Sequence, residues 1–237
     1  MDSENSNNNN SSLANVHKLA VSVDNVILGY DNESLKVLLI DCKTPPYVGK
    51  DSLLGEMVGP DETLDEAAHR ILEYWTGNES LYLEEVKSYS AIDRHPLGRV
   101  ITVAYYSLVE IKKFRFDETH KKRLKWVDVN QVKDLAFDHD MIFNECLAQL
   151  RQRLRIRPIG FNLLPKKFSL NQLQNLYEVV LGLELDKRNF RRKINSLNLL
   201  LDLDETQQDV AHRPAKLFSF DDNKYKEERS NGLKFEL

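Results

Sequence analysis

The sequence of 237 residues is poor in cysteine and has no long apolar run, and each absence excludes a class of protein. Its two cysteines, Cys42 and Cys146, stand far apart, without the spacing of a zinc site or a CxxC redox pair. No window approaches the roughly 18 consecutive apolar residues of a membrane-spanning helix. We therefore expect a cytoplasmic protein with reduced, buried thiols and no membrane contact.

The N-terminal segment also lacks the features of a secretory signal. The opening MDSENSNNNNSSL is polar and has neither a positively charged start nor an apolar core. Such a segment has too little apolar surface to fold by itself, so we predict a disordered tail over residues 1–14.

Charge is distributed unevenly along the chain. Residues 1–150 contain 16 Lys and Arg against 25 Asp and Glu, a net charge of −9. Residues 151–237 contain 17 against 12, a net charge of +5, and the two parts together give the −4 of the whole chain. A basic part joined to an acidic part indicates two tasks, one of which involves a polyanion. The alternative is an ordinary solvated basic surface.

Residues 15–150 alternate apolar runs and turns in an order typical of an α+β domain. Apolar, β-branched runs on both sides of the polar turn DNES predict a hairpin. Thr63, with Glu66 three residues later, forms a capping box that predicts a helix to about Thr76, ending at Gly77. The segment FDHDMIFNECLAQLRQRLR predicts a long amphipathic helix. We expect a mixed sheet packed between helices.

The first of these helices lies in the stretch GEMVGPDETLDEAAHRILEYWTG, which resembles the Nudix signature. That signature is G, five residues, E, seven residues, R-E-U, one residue, E-E, one residue and G-U, where U is a bulky aliphatic residue. With Glu62 on the first E, the R, U and G positions carry Arg70, Leu72 and Gly77. The resemblance implies a Nudix-like α/β/α sandwich.

The carboxylates that the signature uses to bind metal are absent. Ile71, Tyr74 and Trp75 stand in their places, on neighbouring positions of one helix face. Nudix hydrolysis of a diphosphate needs divalent cations held by oxygen ligands. We therefore predict no metal, no cofactor and no catalytic residue, hence a protein that is not an enzyme. The alternative is a Nudix hydrolase acting on ADP-ribose.

The pocket is expected to persist as a binding site for a small-molecule effector. The turn AIDRHPLGRVITVAYYSL is similar to the segment that borders the ligand in ADP-ribose-type Nudix domains. Its arginines can form bidentate hydrogen bonds with the oxygens of a diphosphate. Alternatively, an Asp–Arg pair can form hydrogen bonds with the hydroxyl groups of a sugar. The predicted effector-binding residues are Asp93, Arg94, His95, Arg99, Glu56 and Arg70. A solvated turn, and for Arg70 a structural salt bridge, are the alternatives.

Residues 166–237 have the layout of a winged helix-turn-helix. Ser169 and Asp186 are predicted N-caps of two helices, the first ending near Gly182. The second helix begins KRNFRRKI, so its N-terminal residues can enter a major groove, although such a basic helix can also be a solvated face. The predicted DNA contacts on it are Lys187, Arg188, Asn189, Arg191, Arg192 and Lys193. A hairpin wing follows, with Arg213, Lys216 and His212 predicted along the phosphate backbone.

Residues 15–237 as a whole resemble the Nudix-related transcriptional regulators. The run PIGFNLLPKKFSLNQLQNLYE followed by LDKRNFRRKI is very close to the linker and winged helix of that family. The resemblance implies an effector-binding Nudix-like domain over 15–150, a linker over 151–165 and a DNA-binding winged helix over 166–237. Branches of the family respond to ADP-ribose or, in Bacteroidetes, to pentoses such as L-arabinose.

These observations predict a homodimeric repressor that binds double-stranded operator DNA and senses a small sugar such as L-arabinose. The same architecture sensing ADP-ribose, in control of NAD metabolism, is the alternative. A ligand-binding scaffold that does not contact DNA is a third possibility.

Overall fold

The computed structural model describes residues 19–78, 81–116, 119–208, 213–231 and 235. The predicted disordered tail and His212 lie outside these residues. The strands are β1 (Ala20–Tyr30), β2 (Leu35–Asp41), β3 (Asp51–Ser52), β4 (Leu54–Met57), β5 (Glu84–Tyr89), β6 (Val100–Glu110), β7 (Leu124–Asp128), β8 (Phe168–Ser169), β9 (Leu200–Thr206) and β10 (Lys216–Phe220). The helices are α1 (Leu64–Thr76), α2 (His139–Ile156), α3 (Leu170–Leu181), α4 (Lys187–Ser196) and α5 (Asp222–Ser230).

Strands β1 to β7 form a mixed sheet centred on β1. Strands β1 and β6 run parallel over their whole lengths, with Ala20 opposite Val100 and Tyr30 opposite Glu110. Strands β2 and β4 pair with β1 in antiparallel fashion, β3 and β7 extend the sheet from β2, and β5 pairs with β6. The predicted hairpin around DNES is confirmed as the β1–β2 pair.

Helices α1 and α2 cover opposite faces of this sheet. Val23 and Ile27 of β1 pack with Ile71 on the α1 side, whereas Val26 and Leu28 pack with the α2 side. Successive side chains of a strand point to opposite faces, so a strand buried on both faces is apolar almost throughout. The predicted α/β/α sandwich is confirmed.

Local signals set the ends of α1 as predicted. Thr63 accepts from the Glu66 backbone N–H while the Glu66 side chain accepts from the Thr63 backbone, which is a complete capping box. Gly77 ends the helix at φ 70°, a left-handed conformation that glycine adopts without steric cost.

The C-terminal part is a winged helix. Ser169 and Asp186 cap α3 and α4 as predicted, and strands β8, β10 and β9 form a small antiparallel sheet beside them. The sequence analysis missed β8 and α5. Strand β8 has two residues and leads directly into the cap of α3, while α5 is highly polar and is held by packing of Tyr225 against Phe220.

One continuous apolar core joins the two parts. Buried residues of β1, α2, α3 and α4 belong to the same cluster, with Leu154 of α2 and Tyr177 of α3 among them. Asn175 Nδ2 also donates to Tyr30 Oη at 2.9 Å and to the Asn32 carbonyl at 2.8 Å. The winged helix is therefore packed directly against the sheet and α2. The boundaries given from the sequence stay a prediction.

Within the described residues, the helices are all too short or too polar to cross a bilayer.

Candidate functional site

A cavity of about 330 Å³ opens on the sheet beside the start of α2 and the end of α1. Its walls come from strands, helix ends and loops that are far apart in sequence. Of the predicted effector-binding residues, three line it: Glu56, Arg94 and His95. The polar and aromatic side chains that share the lining include Ser22, Asp24, Thr102, His139, Trp75, Phe137 and Arg123.

Arg94 lines the cavity and is held in place by its neighbours. Its Nε and Nη2 donate to the two carboxylate oxygens of Asp138 at 2.8 and 2.6 Å, and its Nη1 donates to Thr102 Oγ1. The Arg94 side chain is 3% exposed. Breaking these bonds would leave a buried charge unpaired, which is costly. Arg94 therefore holds the cavity wall in position before any ligand binds.

Asp24 and His139 extend this buried network. The His139 ring accepts at Nδ1 from the Leu53 backbone N–H at 3.0 Å, so its proton resides on Nε2 in the neutral ring. That Nε2 lies 3.4 Å from Asp24 Oδ2, and Arg94 Nη2 lies 4.0 Å from the same oxygen. Asp24 therefore presents a buried carboxylate with cationic and N–H partners along one side of the cavity.

His95 lines the mouth of the cavity in contact with Phe137. The two rings stack at 5.0 Å with an interplanar angle of 9°. Burial lowers the pKa of His95, and the neighbouring Arg94 cation lowers that pKa further. The ring is therefore held toward its neutral form, in which it can both donate and accept a hydrogen bond.

Three predicted effector-binding residues lie outside the cavity lining. Asp93 and Arg99 are exposed, and Arg99 Nη1 donates to the Ser90 carbonyl at 2.7 Å. Arg70 donates from Nε and Nη2 to the carboxylate of Glu62 at 2.8 and 2.7 Å, and from Nη1 to Glu56 at 3.1 Å. This is the loop-holding salt bridge given as the alternative for Arg70. A ligand contact by these three residues stays a prediction.

The signature carboxylate that survives, Glu62, is also engaged. Besides Arg70 it accepts from the Gly59 backbone N–H at 2.6 Å, and these bonds lower the pKa of Glu62 to about 2. Nowhere in the described ranges do three or more His, Cys, Asp or Glu side chains gather in a way that could hold a metal ion. The side chains present thus do not fit the magnesium site of a Nudix hydrolase.

Sequence reasoning missed Asp24, Asp138 and His139. Asp24 carried a usable signal, since a lone carboxylate in the middle of the apolar strand VSVDNVILGY must find a buried partner. The partners themselves come from α2 and its N-terminal turn, which only folding brings to β1.

Helix α4 offers the candidate nucleic-acid interface. Phe190 and Ile194 anchor it in the core. The predicted contacts that face solvent are Lys187, Arg188, Asn189, Arg192 and Lys193. Arg191 is half-buried and donates to Asn171 Oδ1 of α3 at 2.9 Å, so it also ties the two helices together. One face of α4 therefore concentrates cationic side chains at the surface.

The wing differs from the helix in its charge. Lys216 pairs with Asp202 and lies 3.8 Å from Asp204, and its pKa is raised chiefly by the hydrogen bond to Asp202. Arg213 is exposed in the loop that joins β9 to β10. The predicted phosphate contact by Lys216 would have to compete with two aspartates, so α4 is the stronger candidate surface.

Comparison with known proteins finds a family match for both parts of the chain. The NUDIX domain model matches residues 18–146, and the NrtR DNA-binding winged helix domain model matches residues 160–220. The ADPR responsive transcriptional repressor NtrR of Acinetobacter baylyi is 34% identical over 204 residues, which cover 84% of this chain and 81% of that protein.

One further protein and one solved structure are also similar to this chain. The ADP-ribose pyrophosphatase of Methanocaldococcus jannaschii is 33% identical over 130 residues, covering 53% of this chain and 72% of that protein. The crystal structure of Shewanella oneidensis NrtR with a 27mer DNA has a TM-score of 0.73 and 27% identity, covering 84% of this chain and 93% of that one. The chain, with its Nudix domain followed by an NrtR-type winged helix, therefore belongs to the family of Nudix-related transcriptional regulators.

Proposed function

We propose that this protein is a repressor that binds operator DNA through α4 and releases it when ADP-ribose occupies the cavity. The observation that carries the proposal is the presence, on one shared core, of an exposed basic helix and a polar cavity that lacks the signature's metal ligands. The Acinetobacter baylyi relative, a repressor responsive to ADP-ribose, supports both the sign of regulation and the effector. The relatives described above give no support to the L-arabinose prediction, so ADP-ribose is preferred.

Helix α2 offers a physical route between the two sites. Its first residue, His139, contacts Asp24 in the cavity, and the preceding Asp138 holds Arg94. Near its other end, Arg151 Nε donates to the Val180 carbonyl of α3 at 3.0 Å. An α-helix of 18 residues spans about 27 Å, so α2 reaches from the cavity to the winged helix. A ligand that shifts the start of α2 changes the support of α3.

The test is fluorescence anisotropy of labelled DNA from the promoter of the protein's own gene, at fixed salt. We expect specific binding that ADP-ribose reverses and L-arabinose does not. Release by L-arabinose alone would restore the original effector prediction. Failure of both ligands, or absence of specific DNA binding, would contradict the proposal.

Replacing Lys187 and Arg188 by Ala should weaken operator binding roughly tenfold or more and reduce its salt dependence, because each removes a cation facing DNA. Lys133→Ala is the matched control, since Lys133 is an exposed lysine in the Nudix part of the chain. The affinity of this variant for the operator should stay within about twofold of that of the unaltered chain. Equal affinities for the two variants would remove α4 from the interface.

Two further parts of the proposal concern activity and assembly. ADP-ribose incubated with the protein and Mg²⁺ should remain intact; release of its hydrolysis products would revive the hydrolase alternative. A homodimer, which would present two copies of α4 to a near-palindromic operator, is proposed from the symmetry of such regulators. Sedimentation velocity should give twice the mass of the chain, and a monomer bound one-to-one to its operator would contradict it.

A further inference from the structure

At the edge of the cavity the guanidinium of Arg123 lies over the ring of Trp75. The Arg123 Cζ is 4.7 Å from the indole centroid, and its Nη2 donates to the Asp41 carbonyl at 3.3 Å. Its Nε is buried without a hydrogen-bond partner. No carboxylate of the described residues lies within ion-pair distance of this guanidinium. Arg123 is thus held in place by stacking, with most of its donors unused.

The other charged side chains of the cavity are compensated. Asp24 faces Arg94 and His139, and Glu56 pairs with Arg70. Arg94 in turn has both oxygens of Asp138. Among the cavity residues that the structure describes, Arg123 is the cation with no salt bridge, since the Asp41 carboxylate, which senses its charge, is paired with Lys43. The cavity therefore has a preference for an anionic ligand at this edge.

Trp75 occupies a signature position at which a Nudix hydrolase carries a metal-binding carboxylate. Tyr74 and Ile71 likewise lack carboxylates, and Glu62 already holds Arg70. Positions 71, 74 and 75 therefore supply none of the oxygen ligands that the signature uses to hold a divalent cation. Arg123 lies on the very residue that replaces one of those ligands.

We propose that Arg123, oriented by Trp75, takes the place of the metal and binds the diphosphate of a nucleoside diphosphate sugar directly. This proposal rests on the proposed function and adds two points to it: Arg123 contacts the diphosphate, and the ligand binds without a metal ion. A guanidinium is planar and always charged, and its forked donors match phosphate oxygens. Contact with the indole and the bond to the Asp41 carbonyl hold the guanidinium in position before the ligand arrives, which lowers the entropic cost of binding. A neutral pentose carries no anionic group to which the Arg123 guanidinium could bind.

Isothermal titration calorimetry of ADP-ribose with the full chain tests the proposal. We expect the same affinity, within about twofold, in excess EDTA and in excess MgCl₂ at equal ionic strength. Arg123→Ala should weaken binding roughly tenfold or more in both buffers, the size expected for loss of a charge-assisted hydrogen bond. Arg123→Lys, which keeps the charge but loses the fork and the stacking plane, should fall between. Lys122→Ala removes an exposed neighbouring cation and serves as the control.

The outcomes separate this inference from the proposed function. If ADP-ribose binds and releases operator DNA but Arg123→Ala binds it normally, or if binding disappears in EDTA, the inference is wrong and the proposed function stands. If ADP-ribose does not bind the unaltered chain in either buffer, both fail. Retained operator affinity of Arg123→Ala and Arg123→Lys shows that these variants are folded, so that a loss of ADP-ribose binding reports on the site.

Discussion

Arg94 and Arg99 stand in the same turn and have opposite surroundings. Arg94 is buried and holds Asp138 and Thr102, whereas Arg99 is exposed and makes one bond to a backbone carbonyl. The sequence predicted the same role for both. Only burial separates a residue that builds the cavity from one at the surface.

We expect Arg94→Ala to lower the free energy of unfolding by about 3 kcal/mol, because it leaves the Asp138 carboxylate without its partner in a mostly buried site. Arg99→Ala should cost less than about 1 kcal/mol, as for an exposed group. Urea unfolding followed by circular dichroism measures both. Similar losses for the two variants would mean that the buried pair contributes little.

At the scale of elements, the β1–β4 pair shows how a glycine permits the buried network. Gly55 lies opposite Asp24 in the antiparallel register. A Cβ built on Gly55 would lie 1.8 Å from Asp24 Oδ1, far inside van der Waals contact. Strand β4 can approach β1 here only because position 55 has no side chain, so this glycine fixes where the Asp24 carboxylate points.

Gly55→Ala should therefore destabilise the protein by about 1 to 3 kcal/mol and weaken effector binding, because Asp24 must move. In the Asp24→Ala background the same change should cost less, since the clashing carboxylate is gone. The double-mutant cycle, measured by urea unfolding, should give a coupling of at least about 0.5 kcal/mol. Strictly additive losses would mean that the strain lies elsewhere on the backbone.

At the scale of the whole molecule, the winged helix touches the Nudix part through a small number of polar contacts added to the shared core. Asn175 of α3 joins Tyr30 and Asn32 at the end of β1, and Arg151 joins α2 to α3. Effector and DNA influence each other only if these contacts differ between the two bound states, and that influence is reciprocal.

Asn175→Ala should reduce the effect of ADP-ribose on operator affinity several-fold, with each ligand alone binding within about twofold of the unaltered chain. The reason is that the variant removes a link between the two parts and touches neither site. Anisotropy titrations with and without ADP-ribose measure the coupling. Asn144→Ala is the control, because the Asn144 amide donates to the Asp140 carbonyl of its own helix. An unchanged ADP-ribose response in Asn175→Ala would show that coupling runs through other contacts.

The sequence alone determined the features that depend on neighbours along the chain. The capping box at Thr63, the N-cap at Ser169, the end of α1 at Gly77, and the loss of carboxylates at 71, 74 and 75 are local, because a helix brings together residues three or four apart. The basic start of α4 and the fold class followed from the same local patterns and from the family resemblance.

Tertiary structure decided which of the predicted site residues meet. It brought Asp24 of β1 to His139 of α2, paired Arg94 with Asp138, left Arg99 outside, and set Lys216 beside Asp202. It also placed Arg123 over Trp75. These contacts join segments distant in sequence, and each depends on burial, on competition between partners and on strand register, which no local pattern encodes.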